Sequence, residues 1–128
     1  MRLLLDTHAF LWWVDGGGRL SGPARRAIGD SSNACVVSIA SGWEIAIKLS
    51  LGKLELTASL DRFLPEQLAA NGFTALPIDL RHVARVATLP FHHRDPFDRL
   101  LAAQALEEHL AIVSADPVFR RYHIRRVW

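Results

Sequence analysis

Four acidic residues stand at positions where a carboxylate could do chemistry: Asp6, Glu44, Asp98 and Asp116. Asp6 and Asp116 come just after short apolar runs, Asp98 lies in the first turn of a predicted helix, and Glu44 lies within another helical pattern. Each has a structural explanation when it is taken alone, because helix N-caps, first-turn acids and i,i+4 ion pairs all favour carboxylates. A shared chemical role therefore depends on whether the fold brings the four side chains together.

Four carboxylates gathered in one place would need cations between them. Two unit charges about 4 Å apart repel by about 4 kcal/mol at an effective dielectric constant of about 20. Oxygen ligands, with no cysteine partner and no histidine pair at metal-binding spacing, favour Mg²⁺ or Mn²⁺ over zinc. Such an ion suits phosphodiester cleavage, because it polarises a phosphoryl oxygen and lowers the pKa of an attacking water. If the acids converge, they predict a metal-dependent site for phosphodiester hydrolysis.

Short apolar runs alternate with helical patterns along the chain, which is typical of an α/β domain with a mostly parallel sheet. In such a sheet, ligands bind at the carboxyl ends of the strands, and the helices that leave the strands begin beside this edge. Three of the four acids follow or flank that edge. The predicted strands cover residues 2–5, 34–38, 73–78, 111–114 and, at the edge of the sheet, 124–128. The predicted helices cover residues 7–14, 21–29, 40–53, 59–71, 80–89 and 95–110.

Two hydroxyl side chains could hold these carboxylates in place. Thr7 follows Asp6 directly, and Ser114 lies two residues before Asp116. Either hydroxyl could donate a hydrogen bond to a carboxylate or to a metal-bound water. Helix capping and packing at a strand end explain the same two residues equally well.

The segment around Asp98 holds a second acid and two histidines. Asp95 precedes Pro96, and this N-cap position already accounts for it, so we predict that Asp98 is the ligand and Asp95 the cap. His92 and His93, like His8, could act as general acids. The sequence pairs none of them with an orienting partner, which favours surface or supporting roles.

The length and composition of the chain are typical of a single globular domain. The chain has 128 residues, half of them hydrophobic, which is enough for one core spanning residues 1–128. No apolar run approaches the roughly 18 to 20 residues of a membrane span, and no secretory signal is recognisable. We therefore expect a soluble, cytoplasmic protein with no membrane partner. The single cysteine, Cys35, cannot form an internal disulfide, so redox chemistry is not expected.

Arginine supplies most of the positive charge, with thirteen arginines against two lysines. Four of them crowd into "RRYHIRR" at 120–126, a pattern that suggests contact with phosphates. A solvated, arginine-rich surface explains that segment equally well. The candidate RNA-binding residues are Arg94, Arg99, Arg120 and Arg121.

Four separated segments together resemble the PIN-domain nucleases, and more specifically the VapC-like toxins of bacterial toxin–antitoxin pairs. The resemblance covers nearly the whole chain and implies a single PIN-like domain, an α/β/α sandwich whose five-stranded, mostly parallel sheet is flanked by helices. It also implies that Asp6, Glu44, Asp98 and Asp116 bind the metal and catalyse. The family often has threonine where this chain has Ser114, a departure that bears on that hydroxyl alone. The segments are "LLLDTHAFLWW", "SIASGWEIAIKLSLGKL", "HHRDPFDRLLAAQAL" and "IVSADPVFRRY".

The function implied by this resemblance is that of a Mg²⁺- or Mn²⁺-dependent endoribonuclease, the toxin of a VapBC-type pair. Its expected partners are an RNA substrate, a second copy in a homodimer, and a cognate antitoxin that lays a hydrophobic segment along the early helices. Exposed aromatic residues would serve those interfaces, although Trp12 and Trp43 fit a core position equally well.

Two other functions also fit parts of the sequence. A non-catalytic PIN-like module that only binds RNA or a partner would share the fold, but such a degenerate site would be expected to have lost one of the four acids. A metal-dependent phosphatase or a phosphoacceptor domain also places an Asp at a strand end. The only lysines are Lys48 and Lys53, however, and no second Asp follows Asp6 in an Asp-x-Asp pattern.

Overall fold

The computed structural model describes residues 1–128 and contains one sheet of five strands, all paired in parallel. The order across the sheet is β3-β2-β1-β4-β5, so β1 is central and the side chains of Leu3, Leu4 and Leu5 are fully buried. This confirms the predicted mostly parallel sheet. The strands are β1 (Arg2–Leu5), β2 (Ala34–Ser38), β3 (Thr74–Leu76), β4 (Ala111–Val113) and β5 (Arg126–Val127).

Six α-helices and one short 3₁₀ helix connect these strands. The predicted helices are all present, with ends that differ by a few residues. None of them combines the length and the apolar character that crossing a membrane requires. The helices are α1 (Thr7–Val14), α2 (Gly22–Gly29), α3 (Ile39–Ser50), α4 (Leu60–Asn71), α5 (Leu80–Val86), α6 (Pro96–Glu108) and the 3₁₀ helix (Pro117–Tyr122).

Several elements end earlier than the sequence predicted, and three of them end where the local sequence gives a reason. Strand β3 stops before Pro77, which has no N–H to donate to a neighbouring strand. Helix α5 stops at Val86, because Ala87, Thr88 and Leu89 donate to carbonyls three residues back, in tighter turns that lead to Pro90. Helix α3 stops at Ser50, and Gly52 follows in a left-handed conformation with φ of +70°.

Two hydrophobic layers cover the two faces of the sheet, because side chains alternate along each strand. Leu4 points into one layer with residues of α6 and the 3₁₀ helix, such as Leu101 and Phe119. Leu3 and Leu5 point into the other layer with residues of α1, α2 and α4. The chain is therefore an α/β/α sandwich, as expected.

Candidate active site

The parallel register brings the ends of β1 and β4 to one edge of the sheet. Leu5 pairs with Val113, and the backbone N–H of Asp6 donates to the Val113 carbonyl over 3.1 Å. Helix α3 leaves the same edge after β2, and α6 begins beside it. As a result, one cavity of about 390 Å³ is lined by all four predicted acids: Asp6, Glu44, Asp98 and Asp116. We call it the acidic cavity. The structure thus assembles all four predicted acids, whose separate roles remain proposals.

Two of these acids also cap helices, so each of them is both a helix N-cap and part of the shared cavity. Asp6 is the N-cap of α1, and its Oδ1 accepts the Ala9 N–H over 2.7 Å. Asp116 caps the 3₁₀ helix, where its Oδ1 accepts the Val118 N–H over 3.0 Å. Capping fixes each carboxylate at the edge of the sheet and satisfies only part of its hydrogen-bonding capacity.

Buried hydroxyl groups hold the carboxylates at this edge. Thr7 Oγ1 donates to Glu44 Oε1 over 2.7 Å and lies 2.9 Å from Ser41 Oγ. The fully buried Ser114 hydroxyl forms a hydrogen bond with the Asp6 carboxylate. Both hydroxyls predicted to support the acids therefore contact one. Ser41 adds a third hydroxyl, which the sequence did not single out because serine early in a helix is common.

Asp95 is the N-cap of α6, as predicted. Its Oδ1 accepts the N–H groups of Phe97 and Asp98 over 2.8 and 3.2 Å. The same side chain also lines the acidic cavity, so its charge acts on Asp98. Asp95 therefore contributes to the electrostatics of the cavity while its Oδ1 is committed to the helix.

His93 lies between two of the acids. Its Nε2 is 3.0 Å from Asp98 Oδ2 and 3.1 Å from Asp116 Oδ2. Its Nδ1 accepts the backbone N–H of Asp95 over 3.0 Å, so in the neutral ring the proton is on Nε2, facing the carboxylates. No orienting partner was predicted for His93, because a backbone donor has no sequence signature.

Burial and like charges disfavour ionisation of the acids. Burial raises the pKa of Asp6, which is only 8% exposed, and the hydrogen bond from Ser114 partly opposes this rise. Burial also raises the pKa of Asp98 to about 7, with a further contribution from the nearby charge of Asp95. His93 acts in the opposite direction on Asp98. The cavity therefore contains too little positive charge to balance its carboxylates.

The residues present fit a hard divalent cation. The cavity offers oxygen ligands from five carboxylates, those of the four predicted acids and that of Asp95. Its cationic neighbours are Lys48, 3.4 Å from Glu44, and the histidines His8 and His93 when they are protonated. An ion bound to Asp6, Glu44, Asp98 and Asp116 would supply the missing charge, and such ligands suit Mg²⁺ or Mn²⁺.

A second group of potential ligands lies elsewhere, at the start of α5: Asp79, His82 and Glu108. His82 Nδ1 accepts the Asp79 N–H over 2.9 Å, so His82 Nε2 carries the proton that meets Glu108 at 2.9 Å. Arg81 forms an ion pair with the same Glu108 carboxylate. Because this group already contains its own cation and donors, it is a structural link between α5 and α6.

The four candidate RNA-binding arginines fall into two groups. Arg94, Arg120 and Arg121 are exposed. Arg99 is only 7% exposed, and its guanidinium donates to backbone carbonyls of the segment that follows α5, including Pro90 over 3.0 Å and Val86 over 3.2 Å. The Arg99 guanidinium is therefore committed to holding that segment and is not available to a phosphate.

A parallel sheet with acidic residues gathered at the carboxyl ends of its strands is typical of a known class of domain. Residues 3–124 match the family model of the PIN domain, and the chain belongs to this family. Ribonuclease VapC22 of Mycobacterium tuberculosis (strain ATCC 25618 / H37Rv) is 32% identical over 130 residues, which cover 98% of each chain. Ribonuclease VapC16 of the same strain is 35% identical over 60 residues, which cover 47% of this chain and 43% of the relative.

Solved structures that share this fold include a toxin–antitoxin complex from Klebsiella pneumoniae, with a TM-score of 0.56 and 17% identity, covering 89% of this chain and 86% of the other. VapBC2 from Rickettsia felis, bound to a DNA fragment from its promoter, aligns with a TM-score of 0.68 and 13% identity, covering 98% of this chain and 97% of the other. VapBC-1 from nontypeable Haemophilus influenzae aligns with a TM-score of 0.65 and 13% identity, covering 98% and 96%. These likenesses show that the fold is shared.

Proposed function

We propose that the protein is a divalent-metal-dependent endoribonuclease that hydrolyses phosphodiester bonds in RNA, and that it is the toxin of a VapBC-type pair. The observation that carries the proposal is the convergence of four carboxylates on one cavity whose positive charge does not balance them. Similarity to Ribonuclease VapC22 over nearly the full chain supports RNA as the substrate. Both substrate and partner imply a cytoplasmic protein.

Asp6, Glu44, Asp98 and Asp116 would hold Mg²⁺ or Mn²⁺ in this reaction. When bound, the ion supplies Lewis-acid chemistry, polarising a phosphoryl oxygen and lowering the pKa of water. The surrounding residues act on the ligands. Thr7 orients Glu44, Ser114 orients Asp6, and His93 presents its Nε2 proton to Asp98 and Asp116. Arg94, Arg120 and Arg121 would bind the phosphates of the substrate outside the acidic cavity.

The experiment is cleavage of labelled RNA by the purified protein with Mg²⁺ or Mn²⁺. We expect EDTA to abolish cleavage and added metal to restore it, with zinc a poor substitute. Glu44→Gln should lose nearly all activity, whereas Asp79→Asn, which removes a carboxylate from the closed group beside α5, should retain it. Cleavage that continues undiminished in EDTA, or a fully active Glu44→Gln variant, would contradict the proposal.

The proposed antitoxin would occupy a cavity of about 460 Å³ that shares His8 and Trp12 with the acidic cavity. Its apolar lining suits a hydrophobic segment of the antitoxin. An arginine from the same segment could reach the acids next door and compete with the metal for the carboxylates. The apolar residues of the lining are Leu11, Trp12, Val14, Leu54, Leu56 and Phe63.

The proposed homodimer would use a different surface. Trp43 is 58% exposed and Ile39 is 43% exposed, beside Leu64 and Pro65 of α4. Large apolar side chains grouped in this way are typical of protein interfaces. We expect the isolated protein to be at least a dimer and its expression without the antitoxin to be toxic. A strict monomer by light scattering at micromolar concentration would refute the dimer, and harmless overexpression of folded, metal-loaded protein would refute the toxin.

A further inference from the structure

A second cavity, of about 500 Å³, lies between α5, the end of α6 and the 3₁₀ helix. Two arginines and two histidines line it: Arg85, His92, Arg121 and His123. We call this surface the basic groove. It lies on the face of the sheet covered by α5 and α6, and it shares none of its lining residues with the acidic cavity.

The positive charge of the basic groove is only partly balanced. Arg85 pairs with Glu107 over 2.8 Å. Arg121 and His123 are exposed and form no ion pair, and their neighbours Arg120 and Arg125 are exposed as well. No acidic side chain lines the cavity itself. The groove therefore presents unpaired cationic and N–H donors to solvent.

Tyr122 connects the basic groove to the acidic cavity. Its side chain is only 4% exposed, the His92 ring packs against it with ring centroids 4.9 Å apart, and its hydroxyl accepts the His93 N–H over 3.1 Å. The side chain of His93 in turn contacts Asp98 and Asp116 through Nε2. An RNA strand that leaves the acidic cavity and passes over His92 and His93 would meet the basic groove directly.

The acidic cavity does not by itself attract a polyanion, because one divalent cation balances only two of the five carboxylates that line it and the others still repel phosphates. Most of the affinity for RNA must then come from cations outside the cavity. We propose that the basic groove binds the sugar–phosphate backbone of the same RNA strand whose scissile bond occupies the acidic cavity. This inference rests on the proposed ribonuclease function. Because the ring of Tyr122 is buried, it is not available to stack on bases, and the groove would act mainly through contacts with phosphates.

The test compares two RNA lengths with variants that alter the groove. Arg121→Gln removes a charge from an exposed side chain, and His123→Asn removes the imidazole while keeping a residue type that tolerates the left-handed backbone at φ of 61°. Arg26→Gln is the matched control, since Arg26 is exposed on α2, over the opposite face of the sheet. Thermal unfolding of every variant checks that the fold is intact.

For the Arg121→Gln, His123→Asn double variant we expect the ratio of kcat/KM on an RNA of about 20 nucleotides to that on a tetranucleotide to fall by about fivefold or more. For RNA binding measured in EDTA, the slope of log Kd against log salt should fall by about 0.7 for each phosphate that the groove no longer neutralises. Arg26→Gln should leave the ratio and the slope unchanged.

Other outcomes distinguish a failure of this inference from a failure of the proposed ribonuclease function. If the wild type cleaves RNA and the double variant keeps the wild-type ratio and salt slope, the groove does not bind the strand, although the ribonuclease stands. An equal loss on both RNA lengths would also overturn the inference, because it would indicate damage to the acidic cavity. If the wild type neither binds nor cleaves RNA, both proposals fail.

Discussion

Replacing Asp98 with asparagine should make the metal-free protein more stable at neutral and alkaline pH. In EDTA the Asp98 carboxylate ionises in a partly buried cavity beside Asp95, Asp6 and Glu44, and these conditions raise its pKa from 3.8 to about 7. Asparagine keeps the shape of the side chain and an oxygen that can accept a hydrogen bond, but it carries no charge. The substitution therefore removes the cost of that ionisation.

The size of the effect follows from the pKa. A rise from 3.8 to about 7 corresponds to about 4 kcal/mol of unfavourable free energy when Asp98 is fully ionised. This is an upper bound, because the side chain is 25% exposed and asparagine gives up the favourable interaction of an acid with the first turn of α6. We expect a gain of about 1 to 2 kcal/mol at pH 8, or about 3 to 8 °C in Tm.

The sign of the pH dependence is fixed by the same pKa. Because the folded-state pKa of Asp98 lies above its unfolded value, the wild type loses stability as the pH rises from about 4 to about 7. The variant does not share this loss, so its advantage should be largest at pH 8 and should shrink by more than half at pH 5.

Thermal and urea unfolding in EDTA at pH 5 and pH 8 would measure this difference. Asp61→Asn is the matched control, since Asp61 is an exposed acid in the first turn of α4 and should lose a few tenths of a kcal/mol at both pH values. A variant at Asp98 that is less stable than wild type at pH 8, or whose advantage does not change with pH, would refute the reasoning.

Three further predictions concern the residues that support the site. Thr7→Val should lower RNA cleavage by about 10- to 100-fold, because it removes the donor that orients Glu44; steady-state kinetics within about twofold of wild type would contradict this. Arg99→Met should cost about 2 to 4 kcal/mol in urea unfolding, because it removes the buried guanidinium that bonds this segment and leaves the Leu89 carbonyl without a donor; a loss below about 0.5 kcal/mol would be inconsistent with its structural role. Asp95→Ala should cost about 1 kcal/mol by the same method, because it removes the α6 cap, yet weaken Mn²⁺ binding less than Asp98→Asn does; calorimetry showing the reverse order would exchange the roles of these two acids.

The sequence predicted the elements that position the site because each carries a local signal. The apolar run at 2–5 is a buried central strand, and Asp95-Pro96 begins a helix as an N-cap followed by Pro. The convergence of the acids was predictable for a related reason, since parallel strands present their carboxyl ends at one edge.

The parts that the sequence did not predict depend on contacts between distant segments or on backbone groups. Arg99 has the side chain of a phosphate-binding residue, but the fold buries its guanidinium against backbone carbonyls at the end of α5 and in the segment that follows. His93 is oriented by a backbone N–H, and the basic groove joins α5 to residues near the end of the chain. No single segment carries a signal for any of these.

The most direct test of the central claim is calorimetric titration of the protein with Mn²⁺ at about pH 6.5 in two buffers of different ionisation enthalpy. Because the pKa of Asp98 is about 7, a metal bound to this carboxylate must displace its proton, and the measured enthalpy should depend on the buffer. We expect the wild type to bind Mn²⁺ with proton release, Asp79→Asn to do the same, and Asp98→Asn to bind at least about tenfold more weakly without proton release. Binding by Asp98→Asn as tight as that of the wild type would contradict the assignment of the metal to these four carboxylates.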